Sequence, residues 1–481
     1  MRNISRRTNY RWVICAMLFF ATTINYLDRQ VLSLTFEDFI RPEFHWSNYH
    51  YGTITGIFSL VYAIAMLFAG TFVDTLGTKK GYLWSIGIWS VGACSHAVCG
   101  VLTERLVGVG SAEALRAITA VDAVSKIAFI SMVMFICARC LLAIGEAGNF
   151  PAAIKATAEY FPKKDRAFAT SIFNAGSTIG AMAAPFCIPV IAQKAGWEAA
   201  FIIIGAIGFV WMGFWIFIYR RPSNNPFMSK AELDYIEQDS TLQERDLEKD
   251  EEVAISKKIS LWKCLHYRQT WAFAFGKLLP DGVWWFFLFW MPSILKNVYM
   301  MKSTDMEFQI ALGVLYLIVM LSIFGGYLPT IFIEKKKMDP YAGKMRAMRI
   351  FAFFPLLTLL ALPLADISYW IPIVLVGIAA AAHQSWSANV FSTIGDMFPK
   401  NTIATITGIG GMAGGIGSWF IQKGAGILFD VSEKHGWDLM GLHGIKVGYM
   451  IMFTFCGVAY LLSWAIMKHL VPQYKKIEEG I

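Results

Sequence analysis

Apolar residues along the chain gather into blocks of about 20 or more, the length at which an α-helix crosses a bilayer. The blocks fall at 12–36, 51–73, 81–101, 127–154, 167–192 and 199–219, and after a polar interval at 269–296, 308–333, 347–365, 368–396, 402–429 and 446–470. This pattern predicts an all-α polytopic membrane protein with twelve transmembrane helices in two bundles of six. The expected division is 1–219 for an N-terminal bundle, 220–263 for a cytoplasmic linker and 264–481 for a C-terminal bundle. The linker is rich in charge and holds Pro222, Pro226 and a short helix-like run from Lys230 to Glu237. Segment 102–126 carries Glu104, Arg105, Glu113, Arg116, Asp122 and Lys126 among apolar residues. It reads as an amphipathic external excursion or as an overlong third helix. Neither polar segment reaches the ~50 residues of a small soluble domain.

Composition removes the main alternatives. Of 481 residues, 56% are hydrophobic and 16% charged, against about 25% charged in an ordinary soluble chain. Mean hydropathy is +0.50. Neither a water-facing globule nor a disordered chain has this balance. The net charge of +8 matters less than its arrangement. Basic clusters stand at Arg2, Arg6, Arg7 and Arg11, at Lys79 and Lys80, and at Lys155, Lys163, Lys164 and Arg166. Others are Arg220 to Arg268, Lys335 to Arg349, and Lys475 with Lys476. With alternate connections inside, these clusters share one face, which puts both termini in the cytoplasm. The basic residues border apolar spans and form no continuous face, so nucleic acid is not an expected partner. The first apolar stretch continues through Asn25, Tyr26, Asp28 and Arg29 without a cleavage site and reads as a retained span. The eight cysteines lie in or beside apolar segments. Cys137 and Cys140 form a lone C-x-x-C that reads as packing, so no metal site is expected. No G-x-x-x-x-G-K-S/T loop is present, which removes ATP as the energy source. The G-x-G-x-x-A string at Gly408 to Ala413 lies in apolar sequence and reads as helix packing, so no bound cofactor is expected.

Six ionisable residues interrupt the apolar spans: Asp28, Arg29, Arg139, Glu146, Lys277 and Asp281. Facing lipid, each would cost about 2.5–3.5 kcal/mol. They are therefore expected to line a watery cavity or to pair with one another. Arg29 offers a fork of donors suited to a carboxylate, and the adjacent Asp28 points about 100° away from it around the helix. Asp28 and Glu146 are candidate proton carriers, because a low-dielectric cavity favours the neutral carboxyl. Arg139 and Glu146 share a helix face but stand about 10 Å apart. They cannot pair without another helix, and Arg139 would tune the proton site. Lys277 and Asp281 are spaced i,i+4 beside Pro280, which fits either a local salt bridge or a Lys277 that holds a second polar end of a substrate. In the tenth block, Gln384, Ser387 and Asn389 suit either sugar hydroxyls or interhelical bonds. Trp284 and Trp285 suit a sugar ring or lipid. His383 reads as a helix-interface histidine rather than a proton relay.

Gly70, Asp74, Gly77, Lys79 and Lys80 close the second block in the spacing G-x-x-x-D-x-x-G-x-K-K. This resembles the loop signature of the major facilitator superfamily, in which the aspartate and lysines form a cytoplasmic gating latch. The matching place in the second half, Gly326 to Thr330, lacks the aspartate. Asn25-Tyr26-Leu27-Asp28-Arg29 resembles the N-Y-x-D-R signature of the anion:cation symporter family, and Arg139 to Pro151 resembles that family's fourth span. Within the family, Trp271 to Pro292, Ala382 to Pro399 and Gly408 to Gly414 look most like bacterial hexuronate transporters. The resemblance covers nearly the whole chain and leaves 102–126 unassigned.

The resemblance implies the major facilitator fold and gives Arg29 the substrate's acid group. It makes Tyr62 a substrate contact and gives Asp28 and Glu146 the proton-coupling role. The expected function is proton-coupled import of a sugar acid, a hexuronate such as glucuronate or galacturonate, by alternating access, with Na⁺ an open alternative to H⁺. Another organic anion such as an aldonate is the nearest alternative, and a transporter-like sensor the more distant one. A membrane enzyme is not expected, since no nucleophile–base or metal-ligand set is assembled. The expected setting is the bacterial inner membrane, as a monomer whose partners are the lipid bilayer and a small anion.

Overall fold

The computed structural model describes residues 8–239, 261–325, 327–398 and 403–474. The linker centre, Gly326, Pro399 and the terminal clusters Arg2, Arg6, Arg7, Lys475 and Lys476 lie outside the described residues, as do the side chains of Asp74, Lys163 and Lys164. The chain crosses twelve times, and the spans begin and end within a few residues of the apolar blocks. In the first half they are Tyr10–Thr35, Asn48–Leu76, Thr78–Ser95 continuing into Val98–Val107, Val121–Glu146 continuing into Asn149–Tyr160, Lys163–Ala195 and Trp197–Ile218. In the second half they are Arg268–Tyr299, Met306–Val319 with shorter pieces to Lys335, Pro340–Phe353 with a 3-10 turn to Leu360, Trp370–Met397, Ile403–Lys434 and Ile445–Leu470.

Among the described residues, seven helices are long and apolar enough to cross a membrane alone, and the bent third span makes an eighth. The other four depart for visible reasons. The first carries buried ionic groups, the eighth and ninth are broken into shorter helices, and the eleventh is dense in glycine.

Glycine sets how closely the helices approach. An added Cβ at Gly145 would lie 2.3 Å from the Trp89 nitrogen, and one at Gly92 would lie 2.5 Å from the Leu142 nitrogen, so the third and fourth spans touch backbone to backbone. Across the two halves, a Cβ at Gly52 would lie 2.5 Å from the Gln422 oxygen and one at Gly426 would lie 2.4 Å from the Asn48 oxygen. Without a side-chain driving force in lipid, such close contact is what holds helices together.

The fourth span breaks at Ala147 and Gly148, between its two helices. Pro151 lies four residues after Ala147 and removes the amide that would have bonded that carbonyl. Gly148 has no room for a side chain, since a Cβ there would lie 2.0 Å from Ser85 Oγ.

Segment 102–126 is partly both of the expected things. The third span bends by 45° and runs on to Val107, the chain turns at Gly108 with φ +81°, and Ala112–Ala117 forms a short helix. This excursion packs over the connection between the first two spans. Arg116 Nη2 donates to Glu43 Oε2 at 2.7 Å, Trp197 Nε1 donates to the same oxygen at 3.2 Å, and His45 Nε2 contacts the Leu115 oxygen at 2.9 Å.

The first part of the linker docks on the first span. Glu232, fully buried, accepts from the amides of Tyr10 at 3.0 Å and Arg11 at 3.1 Å and from the Thr8 hydroxyl at 2.5 Å. A carboxylate from elsewhere in the chain thus caps the helix start, where unpaired amides and the helix dipole favour negative charge.

Among the described residues, polar links between the halves gather on the side opposite the termini. Gln30 Nε2 donates to Tyr316 at 2.7 Å, Tyr51 to the Phe289 oxygen at 2.8 Å, and Trp290 Nε1 to Gln422 Oε1 at 2.7 Å. Asp430 accepts from the amides of Asn48 at 2.9 Å and Tyr49 at 2.8 Å, so one half caps a helix of the other. Lys296 bonds Asp38, whose second oxygen accepts from the Ser303 amide at 2.7 Å. Burial opposes the Asp38 carboxylate, but these donors hold it below its ordinary range.

Gly145→Ala is expected to destabilise the protein by about 1–3 kcal/mol through overpacking. Gly70→Ala, with nothing within 4 Å of the added methyl, serves as the control. Thermal unfolding in detergent checks this, and equal melting temperatures for the two variants would contradict the packing argument.

Candidate functional site

The first span brings Asn25, Tyr26, Asp28 and Arg29 to the interior, all buried. Glu146 closes the longer helix of the fourth span at the proline break and is fully buried. Arg29 Nε donates to Glu146 Oε2 at 2.6 Å, with side chains 3% and 0% exposed. Three rings surround the same guanidinium, with Tyr26, Tyr62 and Trp285 at 5.0, 4.7 and 5.1 Å from their centroids. Each such face stabilises a desolvated cation by about 2 kcal/mol. Tyr26 and Tyr62 belong to the first half and Trp285 to the second, so Arg29 sits where the bundles meet.

The same two spans carry further buried polar groups that are not satisfied by protein. Both polar atoms of Asn25, both oxygens of Asp28, three nitrogens of Arg139, Oε1 of Glu146 and Nδ2 of Asn149 are buried without a hydrogen-bond partner. Each such atom costs about 1–3 kcal/mol unless something binds it. Asp28 is within Coulombic reach of Glu146 and Arg139, and Arg139 lies 5.3 Å over the Phe58 ring. Arg139 makes no direct pair with Glu146, in line with their spacing. The sequence reading did not foresee that Glu146 would take Arg29 as its partner.

In the second half, Lys277 Nζ pairs with Asp281 Oδ2 at 2.8 Å, the local bridge that the i,i+4 spacing allows. The ammonium lies 4.3 Å over Phe391 of the tenth span. Gln384 and Ser387, both half-buried, share a helix face with Phe391 by their spacing of seven and four residues. Asn389 is buried and donates back to the Ser385 oxygen of its own helix at 2.8 Å, which fits helix maintenance better than substrate contact. His383 Nδ1 meets the Tyr460 hydroxyl at 2.8 Å, and its ring stacks on Trp284 at 5.4 Å. That is the geometry of a helix-interface histidine. Trp284 thereby faces protein, and Trp285 packs on Tyr62 and Phe58, each at 5.6 Å.

At the loop closing the second span, Gly77 has φ +77°, a backbone conformation that glycine adopts without strain. Lys80 is exposed. Lys79 Nζ donates to the Ile216 oxygen at 2.7 Å, at the end of the sixth span where helix carbonyls lack partners. The sequence reading gave this lysine to Asp74, whose side chain lies outside the described residues, and did not suggest Ile216. It also missed Glu43, Glu232 and Asp430, because their partners lie far away along the chain and no local pattern marks them.

The chain matches the family model of the Major Facilitator Superfamily over residues 18–421. It is 28% identical over 463 residues to a hexuronate transporter of Escherichia coli (strain K12), covering 95% of this chain and 94% of that one. It is 27% identical to a probable galactarate/D-glucarate transporter of the same strain, covering 59% of each chain. Among solved structures, a bacterial homologue of the human lysosomal transporter Spinster, in an inward-facing and unoccupied conformation, superposes with a TM-score of 0.65. That match has 16% identity and covers 96% of this chain and 98% of that one.

Arg29→Ala strands the Glu146 carboxylate in a buried site and is expected to cost about 3–5 kcal/mol at neutral pH. Adding Glu146→Gln should recover a large share of that loss. A double-mutant cycle on thermal stability measures the coupling, and strictly additive effects would show that the pair contributes nothing.

Proposed function

The chain belongs to the Major Facilitator Superfamily, and from that membership and the central ion pair we propose that it imports a sugar acid, a hexuronate such as glucuronate or galacturonate, together with protons. The observation that carries this reading is the Arg29–Glu146 bond at 2.6 Å, inside a cage of rings supplied by both halves. Glu146 occupies the guanidinium that a substrate carboxylate would need. Protonating Glu146 removes its charge and releases the fork to the substrate, so proton and anion favour each other's binding, as coupling requires. Asp28 is the second proton seat, and the buried Arg139 biases both carboxylates. Tyr62 and Trp285 provide faces for the sugar ring, and Gln384 and Ser387 provide hydrogen bonds for its hydroxyls.

The likeness to a hexuronate transporter along nearly the whole chain supports this substrate class. The side that holds the termini is the cytoplasm, by the distribution of basic residues, in a bacterial inner membrane with the protein acting as a monomer. Among the described residues the links between the halves gather on the opposite side, and the cycle proceeds by rocking of the bundles. Asp74, Lys79 and Lys80 belong to the inner gate.

Glu146→Gln should abolish uphill uronate uptake driven by an imposed pH gradient while keeping exchange of labelled for unlabelled uronate across proteoliposomes. Full gradient-driven accumulation by this variant would refute the proton role. A wild-type gradient response to Na⁺ and none to H⁺ would reassign the coupling ion.

A further inference from the structure

The six intramembrane charges are balanced. Three are cations, Arg29, Arg139 and Lys277, and three are carboxylates, Asp28, Glu146 and Asp281. Each proton taken up leaves one net positive charge for a substrate anion to meet. The balance rests on Asp281 neutralising Lys277, and the placement of that pair shows what it would otherwise do. Asp281 lies four residues before Trp285, about 6 Å along the helix, and Trp285 carries Arg29 on its ring. Asp281 is also within Coulombic reach of Tyr26, another ring of the Arg29 cage. Of the two partners the carboxylate is the more open, 17% exposed against 7% for the ammonium. Lys277 is closed in by Phe391, and a Cβ at Gly414 of the eleventh span would lie 2.3 Å from Asp281 Oδ2, so the glycine leaves space for that carboxylate.

A six-carbon acid anchored at Arg29 would extend its far end toward this pair. In a uronate that end is an aldehyde or ring carbon, without charge. In an aldarate it is a second carboxylate, which would meet Asp281 before reaching Lys277.

We propose that Asp281 is the charge filter of the carrier: by masking Lys277 it admits sugar acids with one carboxylate and rejects their dicarboxylate counterparts. This rests on the sugar-acid reading above. Like charges at such separations in a partly desolvated site change binding by a factor of about ten or more.

The test is uptake of labelled glucuronate and glucarate in proteoliposomes under a pH gradient, by wild type, Asp281→Asn and the charge-neutral Lys277→Met/Asp281→Asn. Wild type should accumulate glucuronate and largely exclude glucarate. Asp281→Asn should raise the glucarate-to-glucuronate ratio of kcat/KM by roughly tenfold or more, and the double variant should bring it back towards wild type. An unchanged ratio in Asp281→Asn, or equal transport of both acids by wild type, overturns the proposal while leaving the carrier reading intact. A wild type that carries neither acid overturns the carrier reading and this proposal together. Should Asp281→Asn fail to reach the membrane, Lys277→Met alone unmasks the aspartate. The glucarate-to-glucuronate ratio of kcat/KM should then fall below the wild-type value by about tenfold, and an unchanged ratio overturns the proposal.

Discussion

The bond between Arg29 and Glu146 is the constraint around which the interior is organised. Two charges at 3% and 0% exposure pay a desolvation penalty that their mutual attraction only about offsets. Neither can be left without a counter-charge. If Glu146 becomes neutral, Arg29 needs another anion, and if Arg29 turns elsewhere, Glu146 needs a proton. A pair with this property exchanges partners rather than losing them, which is the physical content of coupled binding. The three rings around Arg29 matter here because each attracts the guanidinium on its own account and so lowers the cost of leaving it without an anion.

The rest of the first half serves to put these groups together. Pro151 and Gly148 stop the fourth span where Glu146 turns toward the first, while Gly145 and Gly92 let the third span press against the fourth at backbone distance. The local features are unfavourable taken singly: a broken helix, several glycines, a proline, and buried polar atoms without partners. Sequences that otherwise agree with their fold tend to keep such violations at working sites. Here they coincide with the buried groups of Asn25, Asp28, Arg139 and Glu146.

Most of the architecture was legible because period and length carry it. Twelve apolar blocks gave twelve spans, and even the broken eighth and ninth overlap their expected bounds, although the ninth begins at Pro340 rather than 347. The site was legible only as a set of residues that could not face lipid. Which cation met which carboxylate was not, since Arg29 and Glu146 lie 117 positions apart and their meeting depends on how two helices rotate and where one breaks. Lys277 with Asp281 was readable because the i,i+4 spacing is itself a contact. Segment 102–126 resisted reading for a different reason. Its shape depends on Glu43, which collects Arg116 and Trp197 from distant parts of the chain. Asn389 stayed open in the sequence, because an amide in a polar helix stretch looks the same whether it faces a cavity or its own backbone.

The two interior ion pairs differ in what they can do. Lys277 and Asp281 lie on one helix, so any rocking of the bundles carries them as a unit and their separation does not change. Such a pair cannot report on the state of the carrier and can only set a constant electrostatic background. Arg29 and Glu146 lie on different helices of one bundle, with Trp285 of the other bundle on the guanidinium face. In the proposed cycle, movement of the second half would shift that ring, and with it the environment in which Arg29 would exchange Glu146 for a substrate anion. The inter-helix pair is therefore suited to be the switch and the intra-helix pair to be the filter, a division of labour that follows from connectivity alone.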